Sequence, residues 1–468
     1  MVEFILKLCD LDLLLRSSLV LRDRYLITSP PWKGICTFAL PVYLGLLLQC
    51  LYMTADSLFL GNYEGEAALS AVGATNVLNF FFLAVANGLS AGACVKIARL
   101  FGEKQTAEMR HYASTSILLL LGLGVVAGIL GYFGCVPFFK YVTDLPKILQ
   151  SDAVLFFRIL CLGMVFSFAY NIFAGVLRGI GDSRASLYFL LASSLLNVGL
   201  DWLFIAVFKY GVSGAAVATI ISQLFSCVLA WLYMTKRYPE FKWRLKEFTF
   251  SKARARDVIN IGVPMALQQM VVTTSFTCIQ RAANSFGPAM TASFVVAQKI
   301  EMLFTMPALS LQISQASFVG QNIGARRPDR VIKGAWQTIL IAIAVTTFFS
   351  LTVRAYCSEI IGIFGLSPQA VAYCTSQIET TSLGMIILTS YFPILGLLQG
   401  LGLAWKTTII AVSVLSVRVG SIYLLKDESL MGSAIIWFNG PFGWILGFML
   451  SWFFALKALK KLRALMGN

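Results

Sequence analysis

Apolar positions in this chain fall in long unbroken runs, not in the stripes of a soluble helix. About twelve runs recur, at roughly 35–60, 73–98, 112–135, 153–177, 185–208, 211–234, 258–281, 290–318, 334–356, 372–398, 406–425 and 430–456. Each is near the roughly 20 residues a helix needs to cross a bilayer. Period-two alternation is absent, which argues against an outer-membrane barrel. Helices are the remaining way to satisfy a backbone in hydrocarbon. The pattern predicts an all-α integral membrane protein of about twelve transmembrane helices.

The polar breaks between the runs carry a second pattern. Of 37 Lys and Arg, 28 lie in the termini and in every second loop: Lys96–Arg110, Arg178–Arg184, Lys236–Arg256, Arg326–Lys333 and Lys406. The alternate loops and span ends hold seven; Lys299 and Arg418 fall inside spans. This positive-inside bias places both termini in the cytoplasm of a multi-pass protein of the cell membrane. It also removes the nucleic-acid reading that a net charge of +15 invites. The basic segment Lys236–Arg256 is suited to contact with anionic membrane lipid.

The runs repeat. LGMVFSFAYNIFAGVLRGIG (162–181) matches LGMIILTSYFPILGLLQGLG (383–402), Pro41 pairs with Pro264, and Gly102 pairs with Gly324. All three matches share an offset of about 222 residues. That offset spans about six helices, an even number, so the halves enter the membrane from the same side. The repeat is therefore parallel, about an axis along the membrane normal. The expected organisation is an N-terminal cytoplasmic segment (1–30), a first lobe (31–235), a basic linker (236–256), a second lobe (257–456) and a cytoplasmic tail (457–468). Residues 4–20 are apolar but interrupted by Lys7, Asp10, Asp12 and Arg16, and no cleavage site is evident. They read either as an interfacial helix or as the product of a start codon placed too far upstream. Two lobes flanking a cleft suit a transporter working by alternating access.

Composition narrows the chemistry. Only 13% of residues are charged against 58% hydrophobic, and mean hydropathy is +0.78. Ten cysteines are scattered with no C-x-x-C, and the single histidine, His111, lies in a loop. No cofactor and no His-rich metal site is expected, and nothing resembles an enzyme's acid–base constellation.

An acid within a span costs roughly 2.5–3.5 kcal/mol at the helix centre. Four occur: Asp56, Asp201, Glu301 and Glu379. Gln49, Tyr52 and Asp56 share one face of the first helix by their spacing. Asn197 and Asp201, four apart, share a face of the fifth; Asn171 lies in the fourth and Thr219 in the sixth. If these faces converge, the first lobe holds a pocket of carboxylate, amide and hydroxyl oxygens, suited to Na⁺ or to a proton held between two carboxylates. The same residues are compatible with a buried network that only fixes helix packing. By the offset, Asp56 falls on Cys278 or Ile279, Asn171 on Phe392, Asn197 on Arg418 and Asp201 on Ile422, so the acidic pair is not duplicated. Lys299 and Glu301 are secondary candidates. Arg158 and Glu379 hold equivalent positions with opposite charge, which suggests a pair across the lobes. Pro41 should bend the first helix because it lacks an amide proton.

Four segments resemble the multidrug and toxic compound extrusion (MATE) family. They are FALPVYLGLLLQCLYMTADSLFLGNYEGEAALSAVGATN (38–76), VLRGIGDSRASLYFLLASSLLNVGLDWLFI (176–205), YGVSGAAVATIISQ (210–223) and FVGQNIGARRPDRV (318–331). The resemblance covers nearly all of residues 28–464. It implies a monomeric twelve-helix antiporter with two six-helix lobes in a V, exporting small organic, often cationic, compounds in exchange for Na⁺ or H⁺. In DinF-like members the cation site is an Asp in helix one, an Asn–Asp pair in helix five and a Thr in helix six. Asp56, Asn197, Asp201 and Thr219 match it. Gln49, Tyr52 and Asn171 match cavity positions, and Pro41 matches the helix-one bend. NorM-like members use acids in helices seven and ten, where this chain has Gln268, Gln269, Phe392 and Pro393. The alternative within the wider superfamily is a lipid-linked oligosaccharide flippase. Such proteins carry several basic residues in the cavity, and only Lys299 and Arg418 are candidates here.

Overall fold

A computed structural model describes residues 24–142, 145–243, 247–427 and 429–464. The interrupted apolar segment at residues 4–20 lies outside the described residues. Twelve long helices follow in chain order. They are α1 (Pro31–Tyr63), α2 (Gly65–Glu103), α3 (Thr106–Pro137), α4 (Lys147–Ile180), α5 (Ser183–Asp201) and α6 (Gly211–Arg237). The second six are α7 (Lys252–Asn284), α8 (Pro288–Gly324), α9 (Pro328–Ala355), α10 (Pro368–Gly400), α11 (Ala404–Leu425) and α12 (Ile435–Ala464).

The helices run a few residues past their apolar stretches at most ends, because intrahelical bonding continues into the polar margins. Proline opens α1, α8, α9 and α10 at a position where its missing N–H has no helical partner to lose. Between α4 and α5 the chain turns on Gly181 at φ 101°, and Asp182 caps α5 by accepting from the Ala185 amide at 3.1 Å. Among the described residues, eleven helices are long and apolar enough to cross a membrane. α7 is as long but more polar, since it exposes Gln269, Thr274 and Thr277. α12 continues to Ala464, so the expected tail at 457–468 is largely helix. Likewise α6 runs to Arg237 and α7 starts at Lys252, so helix extends into both margins of the basic segment 236–256.

Packing repeats with the sequence. In the first six helices α4 packs on α2, α3 and α6, α1 packs on α5, and α5 on α6. Six helices on, α10 packs on α8, α9 and α12, α7 on α11, and α11 on α12. The two sets meet through α2 against α7 and α8, and through α1 against α8. The α2–α8 crossing mates with itself under the repeat. A Cβ on Gly102 would lie 2.1 Å from the Gln321 carbonyl oxygen, and one on its equivalent Gly324 would lie 2.0 Å from the Arg99 carbonyl oxygen. These two glycines let the backbones touch, and they fix the pseudo-two-fold axis between α2 and α8.

Hydrogen bonds between the sets cluster at the end bearing the basic loops. Lys96 Nζ and Tyr112 Oη both donate to Oδ2 of Asp257, at 3.1 and 2.7 Å. Arg254 grips Glu108 with two bonds of 2.8 and 3.0 Å. The helical turn Tyr25–Thr28 bridges the same end: Tyr25 Oη donates to the Gly181 carbonyl at 2.9 Å, and Asn322 Nδ2 donates to the Leu26 carbonyl at 3.0 Å. The linker is strapped to the first set: its Tyr238 joins Tyr233 of α6 in donating to Oδ2 of Asp182, at 2.8 and 2.9 Å. Arg110 pairs with Glu247, and the Thr249 amide donates to Ser114 Oγ at 3.0 Å. Along α2 the stretch from Ala84 to Gly102 is largely buried, whereas between Gly65 and Phe80 burial is mixed: Ala68, Ala71, Val72 and Thr75 are buried, and Glu66, Leu69, Gly73 and Phe80 are exposed.

Candidate functional site

The α1–α5 contact brings the predicted acidic faces together. Asn197 and Asp201 are buried on α5, with 2% and 0% exposure. Asp56 lies opposite on α1 and is within Coulombic reach of Asp201; the Tyr52 ring sits near both carboxylates. Directly after Asp201 the helix widens into a π-helical stretch, Trp202–Val207. Such stretches leave the regular i→i−4 ladder and often mark functional sites.

The site is rich in unused hydrogen-bonding capacity. Both carboxylate oxygens of Asp201, both polar atoms of the Asn197 amide, Oδ1 of Asp56 and Oγ of Ser194 are buried with no hydrogen-bond partner. Buried polar atoms are otherwise almost always paired, because an unmade bond costs roughly 1–3 kcal/mol. A packing network would have satisfied these groups against each other. The orphaned oxygens instead suit a hard monovalent cation or a proton, either of which supplies the missing positive partner. Among the described residues no cluster of three His, Cys, Asp or Glu exists, and every described cysteine is a free thiol.

The other sequence candidates divide. Thr219 lies on α6, which packs on α5; its hydroxyl donates to the Ala215 carbonyl at 3.0 Å and keeps its lone pairs. Asn171 Nδ2 donates to the Ser167 carbonyl at 2.9 Å, and its own carbonyl accepts from Ser90 Oγ at 2.5 Å. Gln49 is exposed and Tyr52 half-buried. Pro41 is buried within α1, which stays helical through it. Lys299 is exposed and lies over the Phe364 ring at 6.0 Å. Glu301 belongs elsewhere, facing Gln377, Thr381 and Arg418 in the second set.

One expectation fails. Arg158 and Glu379 do not pair: Arg158 Nε donates to the Tyr132 carbonyl at 3.4 Å and its guanidinium lies over the Tyr132 ring, while Glu379 receives Arg354 at its main-chain carbonyl. Equivalent residues meet only beside the pseudo-two-fold axis. That axis runs between α2 and α8, whereas these two residues lie on α4 and α10. Two features escaped the sequence reading. Gln312 Nε2 donates to Gln399 Oε1 at 3.2 Å, and Gln399 Nε2 donates to Gln268 Oε1 at 3.1 Å, a buried amide chain joining α8, α10 and α7. Arg418 Nε donates to Oδ1 of Asn439 at 3.0 Å. Polar residues inside spans were the available signal, but uncharged amides do not stand out beside acids.

The chain belongs to the MatE family, whose model matches residues 41–203 and 264–424. It is thus a multi-pass membrane protein of a transporter family and not an enzyme. The two matched segments start at the positions of Pro41 and Pro264, the pair that first gave the repeat. It is 28% identical over 345 residues to the protein named probable multidrug resistance protein YpnP from Bacillus subtilis (strain 168), covering 73% of this chain and 76% of that one. It is 22% identical over 420 residues to multidrug export protein MepA from Staphylococcus haemolyticus (strain JCSC1435), covering 88% and 91%. A solved structure described as the outward-facing conformation of a multidrug resistance MATE family transporter of the MOP superfamily superposes with a TM-score of 0.88 at 23% identity, covering 94% of this chain and 98% of that one.

Proposed function

We propose that this protein is a secondary antiporter that exports small organic, drug-like compounds in exchange for Na⁺ or H⁺. The observation that carries this reading is the group of buried, unpartnered oxygens on Asp56, Asn197 and Asp201. Thr219 is the fourth member of the site, and Gln49, Tyr52 and Asn171 line the substrate cavity beside it. Family membership and the multidrug export names of the relatives support the substrate class.

The lobes are residues 31–235 and 257–456, joined by the linker 236–256. With both termini in the cytoplasm, the bonded end is the cytoplasmic one, and the lobes would part toward the outside. A cation entering from outside binds the acidic pocket and stabilises one arrangement of α1 against α5. Substrate leaves as that arrangement becomes favoured. Such coupling requires the cation to bind the two access states unequally. Pro41 lies about four turns from Asp56 along α1, and its missing N–H makes that part of the helix the place to bend. The protein acts as a monomer. A flippase for lipid-linked oligosaccharide is disfavoured, because such proteins carry several basic residues in the cavity, whereas here Lys299 and Arg418 are the candidates and Arg418 is already bonded to Asn439.

The test is efflux of a panel of organic dyes and drugs from proteoliposomes, with Na⁺ and pH gradients imposed separately. The wild-type chain should respond to one of the two gradients. Asp201→Asn should lose that response while still binding dye. Full gradient-driven efflux by Asp201→Asn would remove the acidic pocket from the coupling scheme.

A further inference from the structure

In the second lobe, Arg418 stands where the first lobe has Asn197, 221 residues earlier. Its surroundings form a socket. The side chain crosses α12 at Gly443, where a Cβ would lie 2.4 Å from Arg418 Cγ. Its Nε donates to Oδ1 of Asn439 at 3.0 Å. Asn439 is itself buried and spends its amide protons on the Ile436 and Ile435 carbonyls, at 2.6 and 3.2 Å, so only its oxygen faces the guanidinium. The guanidinium lies 5.6 Å from the Phe276 ring centre and 5.9 Å from that of Trp444, within the range of cation–π attraction. The Glu301 carboxylate, flanked by Gln377 and Thr381, supplies the compensating charge. Three helices, α7, α8 and α12, thus direct an amide oxygen, a carboxylate and two aromatic faces at one monovalent cation carried by α11.

That is the complement of the first lobe's pocket, where the oxygens have no partner. We propose that Arg418 is a tethered cation filling the second lobe's counterpart of the coupling site. The second lobe is thereby held in its loaded form, and only the first lobe exchanges an ion during the cycle. The inference rests on reading the Asp56–Asp201 pocket as the exchange site. It makes Arg418 and Glu301 positioning residues: they fix how α11 and α12 meet α7 and α8 and do not contact the driving ion.

Chemical replacement of the side chain tests this in the full chain reconstituted in proteoliposomes. Arg418→Ala should lose about tenfold in efflux, because the buried Asn439 oxygen is left without its donor and the Glu301 carboxylate without its nearby positive charge. Millimolar guanidinium chloride should restore much of the loss and raise the melting temperature, whereas urea, neutral and of similar shape, should not. Adding Glu301→Gln to Arg418→Ala should abolish the rescue. If Arg418→Ala fails to fold, Arg418→Lys against Arg418→Gln decides: the charged replacement should keep most of the activity and the neutral one should not. Rates should depend on the driving ion with a Hill coefficient near one in the wild type, rising above one in Arg418→Gln, whose socket is open to a free ion. Equal behaviour of the Lys and Gln variants, rescue by urea as good as by guanidinium, or a Hill coefficient unchanged in Arg418→Gln would overturn the proposal. Guanidinium rescue reads the socket itself, so it stands or falls separately from the ion dependence of Asp201.

Discussion

Replacing Gly102 by alanine should tilt the resting equilibrium of the two lobes. The new Cβ would sit 2.1 Å from the carbonyl oxygen of Gln321, where ordinary contact begins near 3.4 Å. The obstacle is main chain on α8, so no rotamer change relieves it, and the helices must separate by more than 1 Å where they now touch. Overpacking of this kind costs about 1–3 kcal/mol. The cost falls on the state closed at the basic end and is absent once that end opens. The ratio of the two access states should therefore shift by about 5- to 150-fold toward the opened form. Spin labels at Tyr63, the last residue of α1, and at Ser285, just after α7, report the change at the far end by their distance distribution. The wild type should show mainly the long distance of an open far end, and Gly102→Ala should gain a shorter component. An unchanged distribution in a well-folded Gly102→Ala protein would refute the idea that the α2–α8 crossing is a contact specific to one access state.

Asp257→Asn should shift the same distribution in the same direction but by less, because Asp257 is partly exposed and its bond to Lys96 is screened. Tyr238→Phe removes a bond to the Asp182 carboxylate, worth about 1.5–3 kcal/mol, and should lower the melting temperature in detergent without changing ion dependence. Asn171→Ala should raise the KM for exported substrate severalfold in vesicle efflux with little loss of thermal stability, since its amide bonds only to the carbonyl of Ser167 on the same helix.

The twelve helices were legible because the bilayer enforces runs of a fixed length, and the repeat because Pro41, Pro264, Gly102 and Gly324 keep one spacing. The glycines turned out to carry more than the repeat: they mark its axis. α7 reads from sequence as an apolar span, yet its Gln and Thr face leaves it outside the eleven helices apolar enough to cross a membrane. The candidate residues on α1 and α5 could be picked out from helical spacing, since acids in hydrocarbon stand out. The π-helical stretch after Asp201 could not, because Trp202–Val207 is an ordinary apolar string. Arg158 and Glu379 misled because equal sequence position says nothing about distance from the axis. Arg418 was visible as a charge in a span, but its socket depends on Asn439, Gly443 and Trp444, which only the packing of α12 on α11 brings alongside.

On the proposed scheme the exchanged cation and the substrate compete through the acidic pocket. Its most direct test is equilibrium binding of a fluorescent organic cation to the purified protein, titrated with Na⁺ at fixed pH and with H⁺ at fixed Na⁺. Linkage requires that an ion which lowers dye affinity be itself displaced by dye to the same degree. The account predicts that one of the two ions weakens dye binding in the wild type, and that this effect vanishes in Asp56→Asn/Asp201→Asn while dye binding persists. Ion-dependent dye release that survives in the double variant would contradict it.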